Sequence, residues 1–380
     1  MTTRRGILKL VGGGLVLAAV GGGAFYALNA PSAEAREPWR AAGSQTAHRE
    51  RFLSYALLAP NPHNRQPWLV RLDGEDSLSL FCDLDRRLPA TDPPDRQITL
   101  GCGAFLELLS IAAAQEGYLA EITAFPEGEP APRLDRRPVA KVRFIQGAAQ
   151  PDAAFAHILT RVTNRNDNTD QVPDASNLAA IAAAGSVHGA VVKTTADPAR
   201  VAVLRDHVFR AFELESGVTA THEESVALMR IGKSEVERFR DGVSLEGPMM
   251  EALKLAGMLD REAMKDHGST SFKQSQSMWR AKADSAQAFA WLTHDNTRAA
   301  QLASGRAYAR LNLKVAELGM AVHPFSHSLQ EFPEMAGLYE EVHTLLGDGK
   351  TVQMLVRVGY AAPGVRSPRR GLDAHLMETA

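Results

Sequence analysis

Only two cysteines, Cys82 and Cys102, occur in 380 residues. A disulfide framework is therefore excluded, and two isolated cysteines flanked by apolar residues read as buried thiols. Twelve histidines supply no pair at metal-ligand spacing: His323 and His327 stand four apart, but Pro324 between them argues against a shared helix face. The formal net charge is −2, so no broad basic field is available to hold nucleic acid. No Gly-x-Gly-x-x-Gly follows a strand-like run, which removes a doubly wound dinucleotide site. No nucleophile–base triad stands out either.

Long apolar runs are also scarce. The one uncharged stretch, Leu10 to Leu28, follows Thr3-Arg4-Arg5-Gly6-Ile7-Leu8-Lys9 and precedes Ala33-Glu34-Ala35. A basic start, a Gly- and Ala-rich middle and an A-x-A end resemble a twin-arginine export signal. The alternative is an uncleaved membrane anchor, because about 19 uncharged residues just reach bilayer length. Residues 1–35 are set apart on either reading. The body is expected outside the cytoplasm, in the periplasm or on the outer face of the membrane.

What remains is 45% apolar and 23% charged, the composition of a globular body. It contains an internal repeat. Arg96 to Gly117 and Arg298 to Gly319 align without a gap at an offset of 202, with Arg96/Arg298, Leu100/Leu302, Gly103/Gly305, Leu109/Leu311, Ala114/Ala316 and Gly117/Gly319 identical. Apolar stripes at helical spacing predict a long helix in each copy, ended by glycine. The small residues Gly101-Cys102-Gly103 and Ala303-Ser304-Gly305 would let the two helices approach closely.

Strands are predicted at 68–72, 79–82, 119–125, 140–145, 190–194, 321–325 and 352–358. Further helices are predicted at 46–58, 153–160, 175–184, 198–215 and 281–292. Helices mixed with strands in this order make an α+β fold. Two unequal halves follow, 46–150 and 151–375. Within the second, 222–284 has no counterpart in the first. It is charged, rich in methionine, broken at Gly247-Pro248, and reads as a lid-like insertion or a helical add-on.

Three segments carry candidate ligands. Ala59-Pro60-Asn61-Pro62-His63-Asn64-Arg65-Gln66-Pro67-Trp68 is a proline-stiffened loop whose Asn61, Asn64 and Gln66 amides suit the polar edges of a flat heterocycle. Arg161-Val162-Thr163-Asn164-Arg165 sets two cations four apart around a hydroxyl, a pattern suited to a phosphate and an oxygen-rich chain. Near the end come Gly359-Tyr360 and then Arg366-Ser367-Pro368-Arg369-Arg370.

The first loop resembles the A-P-S-x-x-N-x-Q-P-W signature of nitroreductase-fold flavoproteins, with Asn61 and Pro62 in place of small hydroxyl residues. Arg161–Arg165 is similar to that family's R-x-S-x-R motif. The ending resembles its strand, Gly-Tyr and basic run. The first half keeps the loop but has Thr46-Ala47-His48-Arg49-Glu50 where the arginine motif belongs. The second half keeps the arginine motif but has only Gly185-Ser186-Val187-His188-Gly189 where the loop belongs. These complementary losses, with Asp85–Pro93 and Cys102-Gly103-Ala104, resemble the Acg-like tandem branch of the superfamily.

The resemblance implies an α/β sandwich of two fused halves, a pseudo-dimer able to remain a monomer, with one FMN site. Pro60, Asn61, Pro62, Asn64, Gln66, Arg161, Thr163, Arg165, Arg369 and Arg370 would hold that FMN. It implies two-electron reduction of a quinone, nitroaromatic or similar acceptor, with NAD(P)H or another reductant as donor. An FMN-binding or sequestering protein with little turnover is the alternative, because nicotinamide donors are scarce outside the cytoplasm.

Overall fold

A computed structural model describes residues 22–378. The twin-arginine motif and most of the apolar run lie outside the described residues. Ten strands are present among them: β1 (Trp68–Asp73), β2 (Ser77–Cys82), β3 (Tyr118–Ala124), β4 (Ala140–Gln146), β5 (Val191–Thr195), β6 (Met229–Ile231), β7 (Val243–Leu245), β8 (Ala288–His294), β9 (Ala321–Pro324) and β10 (Thr351–Gly359). They form two four-stranded sheets, ordered β1-β2-β4-β3 and β5-β8-β10-β9, and a two-stranded ribbon of β6 and β7. All neighbours in the larger sheets are antiparallel. The fold is α+β, as the sequence predicts.

The two sheets share one topology. In each, two strands precede the long helix and two follow it, and the fourth strand lies between the second and third. The repeat helices run Arg96–Gln115 and Arg298–Glu317, both twenty residues long and in register with the offset of 202. The first is apolar and long enough to cross a membrane, yet 83% of its apolar window is buried. It is a core helix.

The two helices cross where their backbones touch. A Cβ on Gly103 would lie 2.0 Å from the Leu302 carbonyl oxygen, and one on Gly305 would lie 1.9 Å from that of Leu100. No side chain other than hydrogen fits at either position. The repeated arginines then reach across reciprocally. Buried Arg96 binds Glu331 at 2.6 Å, the Gln353 carbonyl at 3.1 Å and the Leu329 carbonyl, all in the second half. Buried Arg298 binds the carbonyls of Pro94, Pro130 and Pro132 at 2.5–3.2 Å, all in the first.

Two predicted elements are wrong. Residues 281–292 read as a helix, but the helix Thr270–Asp284 stops and 288–294 form β8, the second strand of its sheet. Ala-Phe-Ala-Trp-Leu has no period-two alternation because both faces of β8 are buried, so its composition looks helical. Pairing with β5 on one edge and β10 on the other decides the matter. The stretch 153–160 is a 3-10 turn at Ala153–His157 in place of a helix.

The sequence between β5 and β8 holds the long helix Pro198–Gly217, whose Val201, Leu204 and Val208 join a core with Phe289, Trp291 and Leu355. Short helices and the β6–β7 ribbon then carry the chain over the first half.

Gly305→Ala should force the helices apart and cost about 1–3 kcal/mol. Gly337→Ala, in the helix Ala336–Leu346 with open space around its Cβ, should be neutral or slightly stabilising. Urea unfolding of the two variants checks the contrast.

Candidate functional site

The Pro/Asn loop leaves the helix His48–Ala56 and enters β1. Three of its non-glycine residues, His63, Asn64 and Gln66, have φ between 47° and 52°. Each left-handed residue costs about 1–2 kcal/mol, so the surroundings must hold the loop in place. They do so densely. Asn61 Oδ1 accepts from the Gln66 amide at 2.7 Å, and Asn61 with Pro62 packs on Gly101, where a Cβ would come within 3.2 Å.

The other two motifs converge on the same loop. Buried Arg369 donates to the carbonyls of Leu57, Leu58 and Ala59 at 2.9–3.1 Å, to Pro368 at 3.0 Å, and to Asn64 Oδ1. Asn64 Nδ2 donates to the Pro368 carbonyl at 3.0 Å. Arg370 donates its backbone N–H to Gln66 Oε1 at 2.9 Å and a guanidinium N–H to the Gln66 carbonyl at 2.8 Å. Gln66 Nε2 donates to the Arg240 carbonyl at 2.8 Å. Asn64, Gln66, Arg369 and Arg370, expected to face a ligand, are thus engaged with one another. Their geometry fits holding the loop rather than presenting free donors.

Arg161 and Arg165 differ from these. Arg161 is buried and donates Nη2 to the Leu58 carbonyl at 3.1 Å, while its Nε and Nη1 are buried without partners. Burial with no facing carboxylate pulls its pKa down to about 10. Arg165 makes no guanidinium hydrogen bond among the described residues. Its side chain is solvent-accessible, yet poor solvation still lowers its pKa. Thr163 lies half-buried between the two arginines, and Pro60 is buried at the head of the loop.

Around Arg165 stand groups that local sequence did not single out. His63, His323 and His327 each carry a buried Nδ1 without a partner. Burial lowers all three pKa values, to about 4 for His327, so the rings are neutral at pH 7. Trp279 stacks on His323 at 5.5 Å and meets His327 edge-on at 4.8 Å. The two histidines are not helical neighbours, yet a tryptophan distant in sequence unites them. Buried Glu215 accepts from Gln330 at 2.8 Å and Ser225 at 3.1 Å, and burial raises its pKa. The cluster joins three unpartnered histidine nitrogens to one buried carboxyl, Glu215, whose Oε2 lies 3.7 Å from His327 Nε2.

The insertion is latched to the first half. Asp241 pairs with Arg65 at 3.0 Å, Arg86 at 2.7 Å and Arg230 at 2.7 Å. Glu224 accepts from the Ala90 and Thr91 amides and the Thr91 hydroxyl at 2.6–3.0 Å. Gly242 N donates to the Asn64 carbonyl at 3.2 Å. No local pattern marks the latch, because the first-half partners of Asp241 and Glu224 lie more than 130 residues away.

The corresponding seam on the other side, beside the short loop at His188, is filled with charge. Buried Glu107 accepts from Arg306 at 2.7 Å, Arg310 at 2.5 Å and His188 at 3.1 Å. Burial alone would raise its pKa, but the His188 hydrogen bond and the two arginine charges outweigh it and hold the carboxyl at about 2. The cysteines complete the contrast: both are free and buried, and burial pushes the Cys102 thiol up to about 12.

No family model matches the chain. A Mycobacterium tuberculosis protein provisionally named NAD(P)H nitroreductase acg is 28% identical over 304 residues, 78% of this chain and 86% of its own length. A second protein of that organism, also provisionally named an NAD(P)H nitroreductase, is 29% identical over 309 residues, 78% of this chain and 82% of its own. These relatives support the nitroreductase superfamily. Among solved structures, a nitroreductase of Desulfitobacterium hafniense with bound FMN matches 60% of this chain and 99% of its own at 16% identity and TM-score 0.36. The FMN-dependent nitroreductase NfnB of Mycobacterium smegmatis, solved with NADPH, matches 60% and 98% at 19% identity and TM-score 0.37.

The filled seam makes an acid-stability prediction. Glu107 has a folded pKa of about 2 against an ordinary 4.5, so its contribution is complete above pH 4.5 and is lost as pH falls toward 2. Glu107→Gln should cost about 3 kcal/mol at pH 7 and flatten the fall in stability between pH 4.5 and 2. Denaturant melts across that range check both.

Proposed function

We propose that the chain is an FMN-dependent oxidoreductase of nitroreductase type, carrying one flavin beside Arg161 and Arg165. The observation that carries this reading is a cationic pair without an anion. Arg161 has two buried, unpartnered nitrogens, and the exposed Arg165 guanidinium makes no ion pair among the described residues. Leaving buried donors unpaired is costly, so these residues fit a phosphate-bearing, oxygen-rich group.

Arg165 and Arg161 would hold the phosphate and Thr163 the polyhydroxy chain. The Pro60–Pro62 stretch would supply a rigid wall for the ring system. When bound, FMN supplies two-electron transfer at its ring nitrogen N5. The protein's part is position, exclusion of water and a neutral, donor-rich lining from His63, His323 and His327. The remaining residues of the expected set, Asn64, Gln66, Arg369 and Arg370, would act by fixing the strained loop.

The identical topologies and the 202-residue offset support a tandem duplication, in which the Glu107 cluster has filled the second site. The acceptor class we propose is a quinone, nitroaromatic or similar small molecule, reduced at the expense of NAD(P)H or another donor. We also propose export by the twin-arginine route, which carries folded proteins and so suits a cofactor acquired before translocation.

A second reading, flavin binding with little turnover, is favoured by one observation: the latch of Asp241 onto Arg65 and Arg86 closes the insertion over the loop.

Purified protein incubated with FMN and gel-filtered should keep flavin absorption bands; a colourless product contradicts both readings. Arg165→Ala should weaken retention by tenfold or more, about the loss of one charge-assisted hydrogen bond, and Asn64→Ala should weaken it by loosening the loop. Asp241→Asn should speed flavin bleaching by NADPH and reoxidation by menadione several-fold if the latch limits access. An unchanged rate places the barrier elsewhere.

A further inference from the structure

The motif Ala33-Glu34-Ala35, read as a cleavage site, is built into the fold. Ala35 is fully buried in a 3-10 turn, Glu34–Arg36, and its carbonyl accepts from the Arg369 backbone N–H at 2.9 Å. Fully buried Ser32 donates its backbone N–H to Glu246 at 2.9 Å and its hydroxyl to Glu237 at 2.9 Å. Arg36 pairs with Glu246 at 2.5 Å, and Glu34 with Arg240 at 2.5 Å. Trp39, buried in the helix Glu37–Ala41, packs against the guanidinium groups of Arg161, Arg366 and Arg369 at 5.3–5.8 Å from its ring. Cleavage after Ala35 would remove Ser32 and Glu34 from this strap and uncover the insertion's Glu237 and Glu246. A peptidase needs an extended, accessible segment, and this one is neither.

The chain entering the strap comes from the uncharged run that ends at Leu28. The helix Gly22–Leu28 exposes Tyr26 and Leu28, the latter 71% accessible. Lys233 Nζ donates to the Leu28 carbonyl at 3.1 Å, and the Lys233 amide donates to Glu251 at 2.5 Å in the helix Pro248–Leu255. That helix exposes Met249 at 61% and Leu255, one turn beyond Glu251, at 70%. Large apolar side chains thus lie exposed on elements joined to the end of the apolar run, beside Lys233 and Lys254. Apolar side chains edged by lysines suit the acyl–headgroup boundary of an anionic bilayer.

We propose that the N-terminal segment is retained as a membrane anchor and that the insertion, through Met249 and Leu255, lies against the lipid bilayer. The strap fixes the body to the anchor, and the short distance from Leu28 to Lys233 leaves the insertion facing the membrane. This inference is independent of whether flavin is bound.

The test uses the full chain expressed with its export machinery. Intact mass and N-terminal sequencing should find a mature protein that retains residues before Ala35 and needs detergent for release from membranes. Leu255→Cys, labelled with an environment-sensitive fluorophore in anionic vesicles, should be quenched at least twofold by a lipid-borne nitroxide. Val191→Cys, exposed on an edge strand of the second sheet, should not. The native cysteines are buried and do not compete for label. A mature N-terminus at Arg36 in a soluble protein overturns the proposal. So does a retained anchor with no quenching at position 255.

Discussion

The structure depends on the contact between Gly103 and Gly305. There the two long helices touch backbone to backbone, and a methyl group at either position would lie within 2.0 Å of a carbonyl oxygen. That closeness lets Arg96 and Arg298 cross to carbonyls and polar side chains of the opposite half. Each half therefore completes the other's core, in the manner of an isologous interface written into one chain. Two sheets of equal topology are the outward sign of the same arrangement.

An arrangement with two equivalent seams invites two sites, and the residues make the seams unequal. At one, the strained loop from the first half meets Arg161 and Arg165 of the second, and cations remain without anions. At the other, a short turn at His188 stands beside Glu107, which pairs with Arg306 and Arg310 directly. A seam satisfied by its own ion pairs has no need of a ligand. The first seam is covered by the insertion, tied down at Asp241 and Glu224.

Much of this is legible in sequence because it is local or periodic. The repeat helices show in their apolar spacing and terminal glycines, and seven strands show in short apolar runs. The eighth strand of the two large sheets, β8, does not, because burial on both faces erases alternation and its identity comes from partners on either edge. The site is half legible. The three motifs lie around one loop, but which donors remain free depends on contacts 100 to 300 residues apart. Asn64 and Arg369 face each other, and Trp39 covers Arg161 from the stretch just after the expected signal. His323 and His327 both meet Trp279, from a helix some forty residues earlier. No spacing rule announces any of these.

The most direct test of the account is flavin stoichiometry. Protein reconstituted with excess FMN, freed of unbound ligand and assayed for flavin against peptide absorbance, should carry one FMN per chain. Two per chain would contradict the claim that the Glu107 seam is filled, and none would contradict the claim that Arg161 and Arg165 await a phosphate.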